Sequence, residues 1–99
     1  MYTIKDAFRM HIISRKPFLD AAKRFPNDAK AIHETYRVLK HGDFRSPDTL
    51  RKVFSSLDNF KYKDKWWVID IGGNNLRLRA FIAFRDNRIY IKHIVTHAE

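Results

Sequence analysis

The sequence predicts an α+β domain in which a helical hairpin packs on one face of a small antiparallel β-sheet and the opposite face stays open. Three observations lead there. Apolar residues recur at a period of about 3.6 across residues 17–39 and switch to a period of about 2 from Asn59 onward. Pro26 separates two helical stripes. The segments Gly72-Gly73-Asn74-Asn75 and Asp86-Asn87 are turn sequences that divide the second half into strands able to pair as a meander. At 99 residues the chain builds one modest core and not two.

Taken in order, residues 1–9 read as an N-terminal extension, and residues 10–99 as a single domain. His11-Ile12-Ile13 is a short β-branched run suited to an edge strand. Pro17 fits the first turn of a helix, where its missing N–H costs nothing. Phe18, Ala21, Ala22 and Phe25 then follow at i, i+3, i+4 and i+7 until Pro26 ends the stripe. A second helix opens at Asn27 as N-cap, with Asp28 at its positive end. Ala29, Ile32, Tyr36 and Leu39 form its inner face, and Gly42 stops it. Ser46-Pro47-Asp48-Thr49 reads as N-cap, N1 proline and polar first turn of a short helix through Leu50 and Val53.

Beyond these helices the alternation is that of strands. Trp67, Ile69 and Ile71 alternate with Trp66, Val68 and Asp70. Leu76, Leu78, Ala80, Ile82 and Phe84 make one face of the next strand, and Arg77, Arg79, Phe81 and Ala83 the other. Arg88 to Thr96 is the last strand, and the N-terminal run is placed to join the three.

Composition narrows the function. A chain 44% hydrophobic and 31% charged folds rather than staying disordered. Twenty Lys and Arg against eleven Asp and Glu give +9 and a pI near 10.1, a field that favours nucleic acid, a ribosome or an acidic protein partner. The absence of cysteine excludes disulfides, thiol catalysis and cysteine-based zinc sites. No apolar run approaches the roughly 20 residues that span a bilayer. Residues 1–18 have no signal-peptide core, so the expected location is the cytoplasm and no membrane partner is expected.

The cations cluster with aromatics between residues 58 and 81. Arg77 and Arg79 alternate with the leucines, so they point to the open face, where Trp66 on the neighbouring strand offers a ring for stacking. Trp67 has core parity. Lys61, Lys63 and Lys65 project on one side if extended, but with the parity of Trp67. They join the arginines only through a loop or a bulge, and a solvated loop is the alternative.

Among the histidines, His93 shares parity with Ile89, Ile91 and Val95 and reads as a buried or edge residue. On a strand His93 and His97 lie roughly 13 Å apart, too far for one metal ion. His97 ends the last strand beside the cationic face, suited to proton transfer near neutral pH, or is simply solvated near the terminus. Gly72-Gly73 precedes no helix and no Gly-Lys-Ser/Thr, so it is a hairpin turn and not a phosphate loop. Asp64 and Asp70 are the main carboxylates nearby, too few for a two-carboxylate nuclease. Neither a metal nor a cofactor is expected.

Three stretches carry a resemblance: Phe54-Ser-Ser-Leu-Asp-Asn-Phe-Lys-Tyr62, the turn Gly72-Gly73-Asn74-x-Leu76-Arg77, and Val95-Thr-His97. Through them residues 10–99 resemble the HigB-type toxins of the RelE superfamily. That resemblance implies a RelE-like fold and an endoribonuclease that cuts translated mRNA in the ribosomal A site, inhibiting protein synthesis and arresting growth. It also implies a helix-turn-helix antitoxin of the HigA type, with operator DNA bound only through that antitoxin. By the same resemblance Arg77 contacts the scissile phosphate, His97 is a catalytic or positioning side chain, and Lys61 and Lys63 bind flanking phosphates. The catalytic set expected is therefore Arg77, His97 and Lys61. The RNA-binding set is Lys63, Lys65, Arg79, Trp66 and Asn74.

Two departures from the family pattern stand out. In RelE itself the strand before the turn supplies lysines, whereas Val68 and Asp70 stand here, so the cationic role shifts to Lys61, Lys63 or Lys65. The chain also stops at Glu99, where relatives continue with a Tyr-Asp pair and a basic tail, which reads as a C-terminal truncation. Residue pattern alone, without the resemblance, reaches a basic α+β domain that binds RNA. A non-catalytic module binding RNA or an acidic protein is the alternative function.

Overall fold

The computed structural model describes residues 10–59, 66–73 and 75–96. Pro17 lies in the first turn of helix α1 (Lys16–Arg24), which buries Phe18 and Ala21. Pro26 ends that stripe by winding Pro26–Asp28 into a 3-10 turn. Helix α2 (Ala29–His41) therefore starts one residue later than expected, with Asp28 rather than Asn27 at its N-cap. It buries Ile32, Thr35 and Leu39. The Tyr36 ring meets Phe18 edge-on at 5.1 Å, locking the two helices together. Thr35 is polar and buried, and its Oγ1 donates to the Ala31 carbonyl at 2.9 Å, which removes the cost of burying it.

Gly42 does end α2, but its backbone is extended and not left-handed. Glycine is needed there because a Cβ would run into the Phe44 ring, which is buried against the core. Helix α3 (Pro47–Val53) opens with a reciprocal cap: the Thr49 N–H donates to Ser46 Oγ at 3.3 Å, and the Ser46 N–H donates to Thr49 Oγ1 at 3.2 Å. Only Leu50 of this helix is buried.

Among the described residues, five strands form one sheet in the order β1-β5-β4-β3-β2: β1 His11–Ile12, β2 Asp58–Asn59, β3 Trp66–Ile71, β4 Leu76–Ala83 and β5 Arg88–Thr96. Every pairing is antiparallel except that of β1, which lies parallel to β5, so the sheet is mixed at that edge. The two-residue strand β2 is not foreshadowed by apolar alternation; main-chain pairing with β3 forms it. Both outer strands are only two residues long, so β1 covers β5 only at Arg88 and Ile89, and β2 covers β3 only at Trp67 and Val68. Gly72 and Gly73 take positive φ of 64° and 71° in the β3–β4 turn, and Asn87 takes 59° in the β4–β5 turn.

β4 sits between β3 and β5 and alternates without a break. Leu76, Leu78, Ala80 and Ile82 are buried under the helices with Phe18, Ile32, Leu39 and Ile69, while Arg77, Arg79, Phe81 and Ala83 stay half-exposed. β5 is different. The ladder shifts between Arg79 and Ala80, whose partners are His93 and Ile91, so Lys92 is an extra residue. That bulge reverses the side-chain parity of β5 midway. Among the described residues no helix is long and apolar enough to cross a membrane.

Candidate nucleic-acid interface

Register fixes which side chains share the open face, because residues directly opposite on antiparallel strands point to the same side. Four rows cross the sheet. Asp70, Arg77 and Val95 form the first, next to the β3–β4 turn. Asp58, Val68, Arg79 and His93 form the second. Trp66, Phe81 and Tyr90 form the third, and Ala83 with Arg88 the fourth. Successive rows are roughly 6.6 Å apart, two residues along a strand.

Arg77 and Arg79 are thus on one face, two residues apart, as their alternation predicts. Both are half-buried, and the Nε of each is sequestered from solvent. The guanidinium stems therefore lie against the sheet instead of extending into water. Such preorganised forks suit a phosphate, which a planar guanidinium can grip through two parallel hydrogen bonds. Asp70 faces Arg77 across the ladder, and opposite charges so placed favour a fixed geometry.

The turn that leads into Arg77 is tied to the helical layer. The side-chain amide of Asn75 donates to Asp28 Oδ1 at 3.0 Å, and a Cβ on Gly72 would stand 2.8 Å from that same oxygen. Asp28 holds the N-cap position of α2 without a side-chain cap bond, and its carboxylate instead clamps the turn over the start of the helix. The β2 side is held similarly, with the Asp70 N–H donating to Ser56 Oγ at 2.9 Å and the Asn59 side-chain amide donating to the Trp66 carbonyl at 3.0 Å.

Trp66 is half-buried and not fully exposed as expected, because its indole packs edge-on against Phe81 at 5.8 Å. Trp67 turns to the helix side, also half-buried, and meets Phe84 at 5.7 Å. Of the reading of His93 as buried or edge-bound, the edge position holds, since β1 pairs no further along β5 than Ile89, but the residue is not buried. The Lys92 bulge moves Ile94 into the core at 7% exposure and sends His93, exposed, to the open face opposite Arg79. Phe81, which alternation along β4 already places on this face, is joined there by Tyr90 and Arg88 through their pairing with Phe81 and Ala83.

Lys61, Lys63, Lys65, Asn74 and His97 lie outside the described residues. The neighbours of each are described. β2 ends at Asn59 and β3 begins at Trp66, and these two residues, which flank the lysines in sequence, lie within hydrogen-bond reach of each other. Asn74 follows Gly73 and precedes Asn75 in the sequence. Thr96, which precedes His97, pairs with Leu76, the residue before Arg77. Among the described residues, no three His, Asp or Glu side chains converge as metal ligands would.

The chain is similar to known proteins. A family model described as HigB toxin, the RelE-like toxic component of a toxin-antitoxin system, matches residues 28–99. An mRNA interferase HigB from Escherichia coli O6:H1 is 54% identical over 90 residues, covering 91% of this chain and 87% of that protein. An mRNA interferase HigB from Shigella flexneri is 40% identical over 90 residues, covering 91% of this chain and 86% of the relative.

Proposed function

The chain belongs to the HigB family of RelE-like toxins, and from that premise we propose that it is a ribosome-dependent endoribonuclease cleaving translated mRNA and halting protein synthesis. Membership of a toxin-antitoxin system implies an antitoxin partner. The antitoxin proposed is a helix-turn-helix protein of the HigA type, with operator DNA engaged through it.

Cleavage without a metal requires three things: removal of the ribose 2′-OH proton, neutralisation of charge on the pentavalent phosphorus, and protonation of the 5′-oxygen that leaves. Arg77 is assigned the second role. The observation that carries this is the half-buried Arg77 side chain, its Nε sequestered from solvent, on the open face two residues past a turn that Asp28 clamps. Lys61 and Lys63 assist by binding flanking phosphates. His97 supplies proton transfer, since its preceding residue pairs beside Arg77. Arg79, Lys65, Asn74 and Trp66 hold the strand. So spare an acid–base set suits an enzyme whose substrate is oriented by another body, and the ribosome supplies that positioning.

Incubating the purified chain with programmed ribosomes and mapping mRNA 5′ ends tests this reading. Discrete new ends inside the coding region are expected, and Arg77→Ala should abolish them. Retained RNA binding with no new ends would leave a non-catalytic RNA-binding module instead. Affinity for ribosomes should fall steeply between about 50 and 200 mM salt, because counterion release drives binding to a polyanion. Co-expression with the neighbouring reading frame should yield a stable complex with a helix-turn-helix protein, and failure to co-purify one would remove the antitoxin assignment.

A further inference from the structure

We propose that Trp66, Phe81 and Tyr90 form a seat for one unpaired base of single-stranded RNA, held between two rows of the open sheet face that each carry an arginine. The proposal rests on the nuclease reading for its substrate, but its evidence is separate. The three rings come from three adjacent strands and are consecutive cross-strand partners. Trp66 and Phe81 stand 5.8 Å apart at 76°, and Phe81 and Tyr90 stand 5.8 Å apart at 67°. Each ring therefore braces the next edge-on, on the side away from Leu78 and Ile82. None of the three is buried, and Tyr90, at the end of the row, is 39% exposed.

Cross-strand aromatic pairs also stabilise a sheet. The surroundings distinguish this row from a purely structural one. The row on one side of it holds Arg79, and the row on the other holds Arg88. A base stacked on the rings would have its two neighbouring phosphates directed at a guanidinium on each side. An aromatic platform between backbone cations is the arrangement that binds single strands with little regard to base identity. Phe81 lies four residues from Arg77, roughly 13 Å along the strand. An extended single strand crosses that distance within a few nucleotides, so a base seated here would set the register of the bond presented to Arg77. Tyr90 and Phe81 are thereby positioning residues for the cleavage.

The test is an abasic walk. A short labelled RNA, protected from cleavage by 2′-O-methyl groups, is titrated with the full chain at low salt, intact and with one base removed at each position in turn. Removal at one position should weaken binding at least about fivefold, the lower end of what a base–aromatic stack is worth. Tyr90→Leu should weaken binding of the intact RNA by a similar factor and lose all sensitivity to base removal, whereas Tyr90→Phe should keep both. A wild-type chain indifferent to base removal at every position would overturn the seat, as would a Tyr90→Leu chain that keeps full affinity and the wild-type walk. If Tyr90→Leu does not fold, the walk on the wild-type chain decides alone. Cleavage by programmed ribosomes is scored in parallel: its absence alongside a positive walk rejects the nuclease reading and leaves the seat, and its presence alongside a flat walk does the reverse.

Discussion

On one side of β4, Leu76, Leu78, Ala80 and Ile82 are at most 1% exposed; on the other, Arg77, Arg79, Phe81 and Ala83 remain half-exposed, although the two sets alternate residue by residue. The difference shows how a small chain carries a fold and a binding face on the same strand. Helices α1 and α2 cover only one side, so the energy of folding is concentrated there. The other side is relieved of packing and can hold cations and rings whose removal leaves the core untouched. It follows that substitutions one residue apart should have effects of different kinds.

The largest stability loss is expected from Leu78→Ala, which empties a fully buried position at the middle of the sheet. Such a change costs about 2–5 kcal/mol, a large share of the roughly 5–15 kcal/mol that holds a domain of this size together. Chemical denaturation should show a midpoint lowered accordingly. A midpoint close to wild type would mean that the two faces are not divided as described.

Gly72→Ala should come next, because it combines two penalties: a left-handed backbone and a Cβ 2.8 Å from Asp28 Oδ1. Gly73→Ala meets open space and carries the backbone penalty alone, about 1–2 kcal/mol. The Gly72 variant should therefore melt below the Gly73 variant and also cleave more slowly, since the turn it distorts leads into Arg77. Equal behaviour of the two would remove the clamp by Asp28 from the account.

The smallest effect belongs to Asp20→Asn on the outer surface of α1. The Asp20 carboxylate accepts a hydrogen bond from Lys16 at 2.8 Å and raises the lysine's pKa, yet both side chains are mostly in solvent. A raised lysine pKa adds stability only while the amine stays charged, so any contribution is present across neutral pH and fades above the lysine's own titration. Screening makes it negligible, and the melting temperature should not change measurably with this substitution at neutral pH.

The helical hairpin, the capped third helix and the two turns could be read from the sequence because their signals are local: proline placement, the Ser46/Thr49 pair, and positive-φ residues at Gly72, Gly73 and Asn87. Arg77 and Arg79 were readable too, since alternation along one strand suffices to give them a face. What escaped depends on pairing between strands. Strand β2 forms from main-chain hydrogen bonds that leave no mark on Asp58-Asn59. The Lys92 bulge shifts His93 from the core side to the open side, and no residue type announces it. The row of Trp66, Phe81 and Tyr90 exists only once three strands are in register. Asp28 illustrates the same limit, because its bond to Asn75 spans 47 residues of sequence.

Arg77→Ala, followed simultaneously by mRNA cleavage on programmed ribosomes and by thermal melting, tests the division between the two faces most directly. If Arg77 serves the reaction and not the fold, cleavage should fall by about 100-fold or more, the scale of losing one preorganised charge stabiliser. The melting temperature should move by no more than about 4–8 °C, in line with a loss of roughly 1 kcal/mol or less. Cleavage that survives within a few-fold of wild type would contradict the account, and so would a drop in melting temperature matching that of Leu78→Ala.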